Sequence, residues 1–262
     1  MKVQESLFIR RKKPLVRKLL DMLLAQYPYA SILAEDAKSG NYNVSRKSMA
    51  AGEGERGTSR GFVAKVSDGK HYIEYSFNRI SEENLDDICD RIRALMEASD
   101  KMMPEGLCES VYEVPAEEKT EFSGSTDYEI DPEALGDDAI LKQLAAIKEK
   151  GLAASEKILD CQVVSIYQKY TKLFLSGNRE LEQNVMWMTG VLCFVAAKGE
   201  EIKTYYKAYS NLGGAEMLSQ IEADVEECAE VVQELLESEP IHPGEYDCIC
   251  SPEVTGMIAH EA

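Results

Sequence analysis

The first hundred residues show two stretches of helical periodicity with alternating, strand-like stretches between them. A helix is predicted from about Pro14 to Gln26, and a second helix follows Ser81, whose hydroxyl is placed to cap it. Between the two helices, Asp68-Gly69 separates two runs of alternating apolar and polar residues, which is the signal of a β-hairpin with a tight turn. The strands predicted in this part are residues 30–35, 42–49, 62–66 and 72–77.

The second part of the chain repeats the order of the first. A helix is predicted from about Asp138, and a long helix is predicted from the apolar spacing between Ile221 and Leu235. The strands predicted between these helices are Cys161–Leu175, Leu181–Ala197 and Ile202–Tyr209. The fold class predicted is therefore α+β, with two sequential units of helix, antiparallel sheet and helix. An internal repeat and a chance similarity of two common α+β units both account for this order.

An acidic segment separates the two units. Residues 102–136 have Lys119 as their one basic residue and contain three prolines, a composition typical of linkers and long surface loops. We expect this segment to be loosely packed. The predicted organisation is an N-terminal α/β domain over 1–101, an acidic linker over 102–136, a central α/β domain over 137–240 and the start of a C-terminal domain over 241–262.

Composition and charge narrow the classes of function. The 262 residues carry a formal net charge of −18, which argues against a general nucleic-acid binder and against an anionic membrane surface as partner. No apolar run is long enough to span a membrane, and no signal peptide is recognisable. Seven scattered cysteines suit reduced thiols, so a cytoplasmic location is expected. Seven basic residues within residues 1–18 form either a binding patch or the solvated face of an amphipathic helix, and the second interpretation is favoured.

Three features of the sequence are weak candidates for a site. Residues 52–57 match G-x-G-x-x-G, but a strand rather than a helix is predicted to follow, so a hairpin loop explains the glycines better. Cys248 and Cys250, near His242 and His260, are compatible with a metal cluster or with small residues on one face of a strand over 246–250. His71, directly before a predicted strand, is expected on the surface.

The chain ends on a predicted helix that carries a His-Glu pair. Ser251-Pro252 is a good helix start, because the hydroxyl caps the helix and proline fits its first position. No glycine or asparagine ends the helix, so the sequence is interpreted as part of a longer protein. His260 and Glu261 are the pattern with which zinc peptidases place a metal ligand beside a general base, although two adjacent residues alone carry little information.

The order of these stretches resembles the TldD/PmbA family of zinc metallopeptidases, also described as modulators of DNA gyrase. The resemblance covers nearly the whole chain and is carried by Gly61–Gly69, Tyr128–Pro132 and Gly244–Ala262. The last stretch is the most specific, because the family's HExxxH motif lies on a helix directly after such a strand.

The resemblance implies a zinc-dependent peptidase for small or unfolded peptides, working in the cytoplasm as a homodimer or as a heterodimer with a paralogue. It implies that His260 is the first zinc ligand and Glu261 the catalytic base, so that residues 241–262 begin the catalytic domain. The family's second histidine and its distant cysteine ligand are absent from this chain, and the chain alone is therefore expected to be inactive and to bind no zinc there. The alternative is a non-catalytic paralogue or scaffold module that partners an active subunit.

Overall fold

The computed structural model describes residues 1–53, 58–102, 114 and 116–262. The helices in these ranges are α1 Leu7–Leu24, α2 Leu85–Met102, α3 Pro132–Leu135, α4 Asp137–Ala153, α5 Met217–Ala223, α6 Val225–Leu236 and α7 Pro252–Glu261. The strands are β1 Tyr29–Val44, β2 Met49–Gly52, β3 Ser59–Ser67, β4 Tyr72–Phe77, β5 Thr120–Ser125, β6 Ile158–Ser176, β7 Arg179–Lys198 and β8 Glu201–Leu212. The α+β class predicted from the sequence is confirmed.

The strands of both units lie in one sheet. Its order is β4-β3-β1-β6-β7-β5, with β2 paired to β1 and β8 paired to β7. The central pairing of β1 with β6 is antiparallel and runs from Ser31 opposite Ser176 to Val44 opposite Val163. Two of the strands predicted from the sequence, 30–35 and the first residues of 42–49, are parts of the long strand β1. The two units are therefore joined by the backbone hydrogen bonds of a shared sheet.

The segment predicted as a linker contributes to this sheet. Residues 120–125 form β5, which pairs in parallel with β7 from Thr120 opposite Arg179 to Ser125 opposite Asn184. Asp131 then caps the short helix α3 by accepting a hydrogen bond from the backbone N–H of Glu133 at 3.0 Å. Residues 103–113 and 115 of the predicted linker lie outside the described residues.

Two hydrophobic clusters lie on one face of the sheet. Helices α1 and α2 cover the first cluster, where Ile32 and Leu175 stand opposite each other on β1 and β6. Helices α4, α5 and α6 cover the second, where Val44 and Val163 stand opposite each other. Because side chains alternate along a strand, these even-numbered residues of β1 point to the same face. On the other face, Trp187 is 37% exposed.

Helix α1 begins earlier than predicted. The Ser6 hydroxyl accepts hydrogen bonds from the backbone N–H groups of Phe8 and Ile9, so the helix starts at Leu7 and contains Pro14 in its second turn. Proline is usually a first-turn residue, and the four basic residues before it show no apolar periodicity. For these two reasons the sequence predicts a helix start at Pro14, seven residues after the observed start at Leu7.

The last part of the chain differs from its prediction in two places. The long helix predicted around Ile221 to Leu235 is two helices, α5 and α6, which meet at Asp224. Residues 246–250, predicted as a strand, have no strand conformation and are exposed. A strand is stabilised by hydrogen bonds to a neighbour, and no described strand pairs with this segment. The predicted helix after Ser251 is present as α7, and residues 237–262 are all exposed.

Candidate functional site

A polar cleft of about 450 Å³ lies between the two hydrophobic clusters. Along the helix-covered face of β1, Asp36 and Lys38 follow the buried Ala34 and precede the buried Tyr42. These polar residues therefore lie between the part of β1 that α1 covers and the part that α4 covers. The cleft is lined on the sheet by Asp36, Lys38, Arg60, Lys169 and Thr171.

The N-terminus of α1 is fixed to one side of this cleft. The Ser6 hydroxyl donates a hydrogen bond to Asp36 Oδ2, and the Ser6 backbone N–H donates to Thr171 Oγ1 at 2.9 Å. Arg60 Nε donates to Asp36 Oδ1 at 2.5 Å. Asp36 is 7% exposed, so water has little access to its carboxylate. One carboxylate oxygen accepts from Arg60 and the other from Ser6, the residue that caps α1. The Asp36 carboxylate on β1 thus connects the N-terminus of α1 with strand β3.

The opposite side of the cleft is a cluster of ion pairs around α3. Lys169 Nζ donates to Asp131 Oδ2 at 2.9 Å and to Glu133 Oε2 at 3.0 Å, and Lys38 Nζ donates to Glu133 Oε1 at 3.0 Å. Burial opposes the charge on Glu133, but the hydrogen bonds from the two lysines prevail and lower its pKa. Since these charges are already paired, the cleft holds elements together and presents no free nucleophile–base pair among the residues named here.

The basic residues near the N-terminus are in large part engaged inside the chain. Lys13 Nζ lies 2.6 Å from Glu180 Oε1, and Arg17 also pairs with Glu180. Lys18 pairs with Glu82, and Lys12 donates to the carbonyl of Ile80 at 2.9 Å. These basic side chains of α1 therefore hold the helix against neighbouring elements of the same chain.

The His-Glu pair lies in the last turn of α7. The Ser251 hydroxyl accepts from the backbone N–H of Val254 at 3.3 Å, and Pro252 takes the first helical position, as the sequence predicts. His260 and Glu261 are both exposed, and so are the apolar residues Met257 (58%) and Ile258 (56%) on the same helix. The helix therefore presents both its candidate catalytic residues and its apolar side chains to solvent.

Several solved structures of low sequence identity share this architecture. A candidate modulator of DNA gyrase from Bacteroides thetaiotaomicron aligns with a TM-score of 0.67 and 16% identity, over 90% of this chain and 52% of its own. A second one, from Thermotoga maritima, aligns with 0.63 and 12%, over 87% and 50%. TldE from Thermococcus kodakarensis aligns with 0.57 and 11%, over 84% and 47%. The chain has the TldD/PmbA fold.

The similarity is one of structure. Neither a protein-family model nor a curated protein sequence matches the chain. The chain spans about half the length of the TldD/PmbA structures that it matches. In the ranges that the structure describes, no helix is long and apolar enough to cross a membrane.

The residues of α7 do not by themselves fit the zinc of a TldD/PmbA peptidase. Catalytic zinc is held by three protein ligands, and α7 offers one imidazole, from His260, and one neighbouring carboxylate, from Glu261. Within the described part of the chain, potential metal ligands from three residues come together around His71 and not around His260. The assignment of His260 and Glu261 therefore stays a prediction.

The other two candidates from the sequence are not assembled into a site. Cys248, Cys250 and His242 are exposed, and no metal-ligand group found in the described ranges contains them. Of the glycine-rich stretch 52–57, residues 54–57 lie outside the described residues, and strand β3 follows from Ser59, so no helix N-terminus is available for a pyrophosphate.

The position of His71 differs from the one that the sequence predicts. His71 was expected on the surface, but it is 9% exposed and lies in the β3–β4 turn, just before β4. Asp68 Oδ1 accepts hydrogen bonds from the backbone N–H groups of Lys70 at 2.8 Å and His71 at 3.1 Å, which shape the turn. His71 Nε2 faces Asp100 on α2 at 3.8 Å. In the sequence, the spacing of three residues between Asp68 and His71 is the one sign of this contact, and so short a pattern does not predict burial.

Proposed function

We propose that this chain supplies the N-terminal scaffold of a TldD/PmbA-type zinc metallopeptidase that cleaves small or unfolded peptides. The observation that carries the proposal is the structural match over 90% of the chain to 52% of a candidate gyrase modulator. The helix α7 supports it, because this helix begins with the expected Ser-Pro start and presents the His-Glu pair in its last turn.

In this proposal, His260 is one zinc ligand and Glu261 is the general base. The remaining ligands must come from residues other than those of α7, because one imidazole and one carboxylate are too few. The 262-residue chain alone is therefore expected to hydrolyse no peptide. Its own contribution is the sheet, the two helix-covered clusters and the polar cleft that fixes α1 and α3 on the sheet.

The alternative is a non-catalytic module that pairs with an active TldD/PmbA subunit. The observation that favours it is the exposure of Met257 and Ile258 on α7, since apolar side chains of this size on one helix are normally covered by another surface. A homodimer and a heterodimer with a paralogue both provide such a cover.

A cytoplasmic location is part of the proposal. Cys89, Cys161, Cys193, Cys228, Cys248 and Cys250 are free thiols, and Cys108 lies outside the described residues. Burial raises the pKa of Cys161 to about 12 and that of Cys228 to about 11, so both thiols stay protonated at neutral pH. Unpaired cysteines in this number are typical of a reducing compartment.

The experiment that tests the proposal combines a gene sequence with an assay. An open reading frame that continues past Ala262 and places a second histidine about one turn after His260 supports the peptidase, whereas a stop codon supports the module. In parallel, the 262-residue chain is assayed for peptide hydrolysis with and without added Zn²⁺. Zinc-dependent hydrolysis by this chain alone contradicts both forms of the proposal.

A further inference from the structure

A buried histidine lies between two aspartates where the β3–β4 turn meets the end of α2. His71 Nδ1 is 3.6 Å from Asp68 Oδ1, and His71 Nε2 is 3.8 Å from Asp100 Oδ1. The three side chains each offer one ligand atom, and these atoms lie within 4.8 Å of one another. The cluster therefore joins two elements that are far apart in sequence.

The imidazole is not satisfied by this arrangement. Both nitrogen–oxygen distances exceed the length of a good N–H···O hydrogen bond, which is about 2.7 to 3.2 Å. His71 Nε2 is buried and has no hydrogen-bond partner, although it points to Asp100. Buried polar atoms are nearly always paired, so an unpaired nitrogen that faces a carboxylate is available to bind a further group.

We propose that Asp68, His71 and Asp100 bind a divalent first-row transition-metal cation such as Mn²⁺. The donor set of one imidazole nitrogen and two carboxylate oxygens suits such ions, whereas Ca²⁺ and Mg²⁺ prefer oxygen alone. Metal–ligand bonds of about 2.1 Å put two ligands of one ion at most about 4.2 Å apart. One ion takes only one imidazole nitrogen, so the carboxylate that faces the other nitrogen must turn toward the ion to close the site.

The exposure of the three residues allows an ion to enter and to keep water ligands. The side chain of His71 is 11% exposed, that of Asp68 25% and that of Asp100 55%. Asp100 is therefore free to turn toward the ion, while Asp68 is fixed by the turn. Asp68 Oδ1 already accepts hydrogen bonds from the backbone N–H groups of Lys70 and His71, which hold this carboxylate in place.

The site is separate from the proposed peptidase function. It contains neither His260 nor Glu261, and it would connect the β3–β4 turn, where Gly69 has a φ of 92°, to the last turn of α2. Its expected role is to fix this hairpin on α2, so metal binding should raise the thermal stability of the chain.

The test is a Mn²⁺ titration of the 262-residue chain. Binding is measured as the loss of the free Mn²⁺ signal in electron paramagnetic resonance. We expect saturable binding of one ion per chain. Asp100→Asn, at a half-exposed position that tolerates the change, and His71→Ala should each weaken binding at least about tenfold, the lower limit for loss of even a supporting partner of a metal. Asp90→Asn on the exposed side of α2 and His242→Ala are matched controls that should bind as the wild type does.

Paramagnetic broadening of amide NMR signals locates the ion independently of folding defects in the variants. Signals of residues 68–71 and of the last turn of α2 should broaden first. Absence of saturable binding, equal binding by Asp100→Asn and the wild type, or broadening confined to residues 242–262 would each overturn the proposal. The first two outcomes leave the proposed peptidase scaffold unaffected, because it does not depend on this site, whereas the third would point to metal binding near His260.

Discussion

Arg60 on β3 and Asp36 on β1 stand opposite each other in the sheet, and Arg60 Nε donates to Asp36 Oδ1 at 2.5 Å. The carboxylate side is 8% exposed and the guanidinium side 46%, so the two partners are not equivalent. Removing Arg60 leaves a buried charge with the Ser6 hydroxyl as its remaining donor, whereas removing Asp36 leaves an arginine that water can reach.

We expect Arg60→Ala to lower the free energy of unfolding by about 1–3 kcal/mol, the cost of leaving a buried acceptor without its charged donor. Part of this loss comes from the ring of Phe8, over which the guanidinium lies at 5.1 Å. Urea unfolding measures the change. Arg79→Ala, an exposed arginine after β4, is the matched control and should stay within about 0.5 kcal/mol of wild type. Equal effects of the two variants would show that Asp36 does not depend on Arg60.

Gly151 lets α4 approach the sheet closely. A Cβ at this position would lie 2.5 Å from Cys161 Sγ and 3.0 Å from the ring of Phe194. Gly151→Ala gains about 1 kcal/mol of helix propensity but overpacks the cluster at a cost of about 1–3 kcal/mol, so we expect a net loss of about 1 kcal/mol. A lower urea midpoint is the measured effect.

Gly256 on α7 provides the control for Gly151. A Cβ there meets no atom within 4 Å, so Gly256→Ala should leave the midpoint unchanged or raise it slightly. Adding Cys161→Ala to Gly151→Ala removes the closest contact, and the double variant should lose less stability than the two single losses predict. If the losses of stability of the two single variants simply added in the double variant, the clash would not be between the new methyl group and Cys161 Sγ.

Glu133 should make stability depend on pH in the acid range. Its pKa is lowered from an ordinary value of 4.5, against the effect of burial, by the hydrogen bonds from Lys38 and Lys169. A lowered pKa in the folded state stabilises the protein fully above about pH 4.5 and less as the pH falls through the folded value. Urea unfolding at pH 7 and at steps below pH 4.5 follows this loss.

In Glu133→Gln, that part of the pH dependence should disappear. The variant should be about 1 kcal/mol less stable than wild type at pH 7, and the difference should shrink below pH 4.5. Glu121→Gln, an exposed carboxylate on β5, is the control and should follow the wild-type curve. A constant difference between wild type and Glu133→Gln at all pH values would contradict the role given to the ion pairs.

The local elements were predictable from the sequence because their signals are local. The turn at Asp68-Gly69 appears as predicted, with Gly69 at a φ of 92°, and β6, β7 and β8 lie close to their predicted ranges. Periodicity of apolar residues and turn residues at fixed positions are sufficient for such elements.

The pairing of β1 with β6 was not predictable in the same way. Ser31 and Ser176 stand opposite each other although they are 145 positions apart in the sequence, and the pattern of neither strand predicts which strand it pairs with. For the same reason the burial of His71 was missed, since it depends on the distant helix α2. The strand predicted over 246–250 shows the converse, because its alternating residues find no partner strand in the described structure.

The assignments of His260 and Glu261 are tested in the protein that the whole open reading frame encodes. Glu261→Gln keeps the shape of the side chain and removes its ability to accept a proton, so zinc content should stay near wild type. Peptide hydrolysis should fall about 10²–10⁴-fold, the usual contribution of a positioned base. Retention of more than about a tenth of the wild-type turnover, a fall smaller than the lower limit of that range, would exclude Glu261 as the base.

His260→Ala should behave differently, because a metal site of three ligands would be reduced to two. Zinc content and turnover should fall together, and the melting temperature should fall only as far as the lost zinc explains. In the 262-residue chain the side chain is exposed on α7. His242→Ala, also exposed, is the control and should keep both zinc and turnover. If His260→Ala retained its zinc, the imidazole would not be a ligand, and the resemblance that assigns the role would fail at its most specific residue. Measuring zinc, stability and turnover on all the variants separates a ligand from a base, which activity alone cannot do.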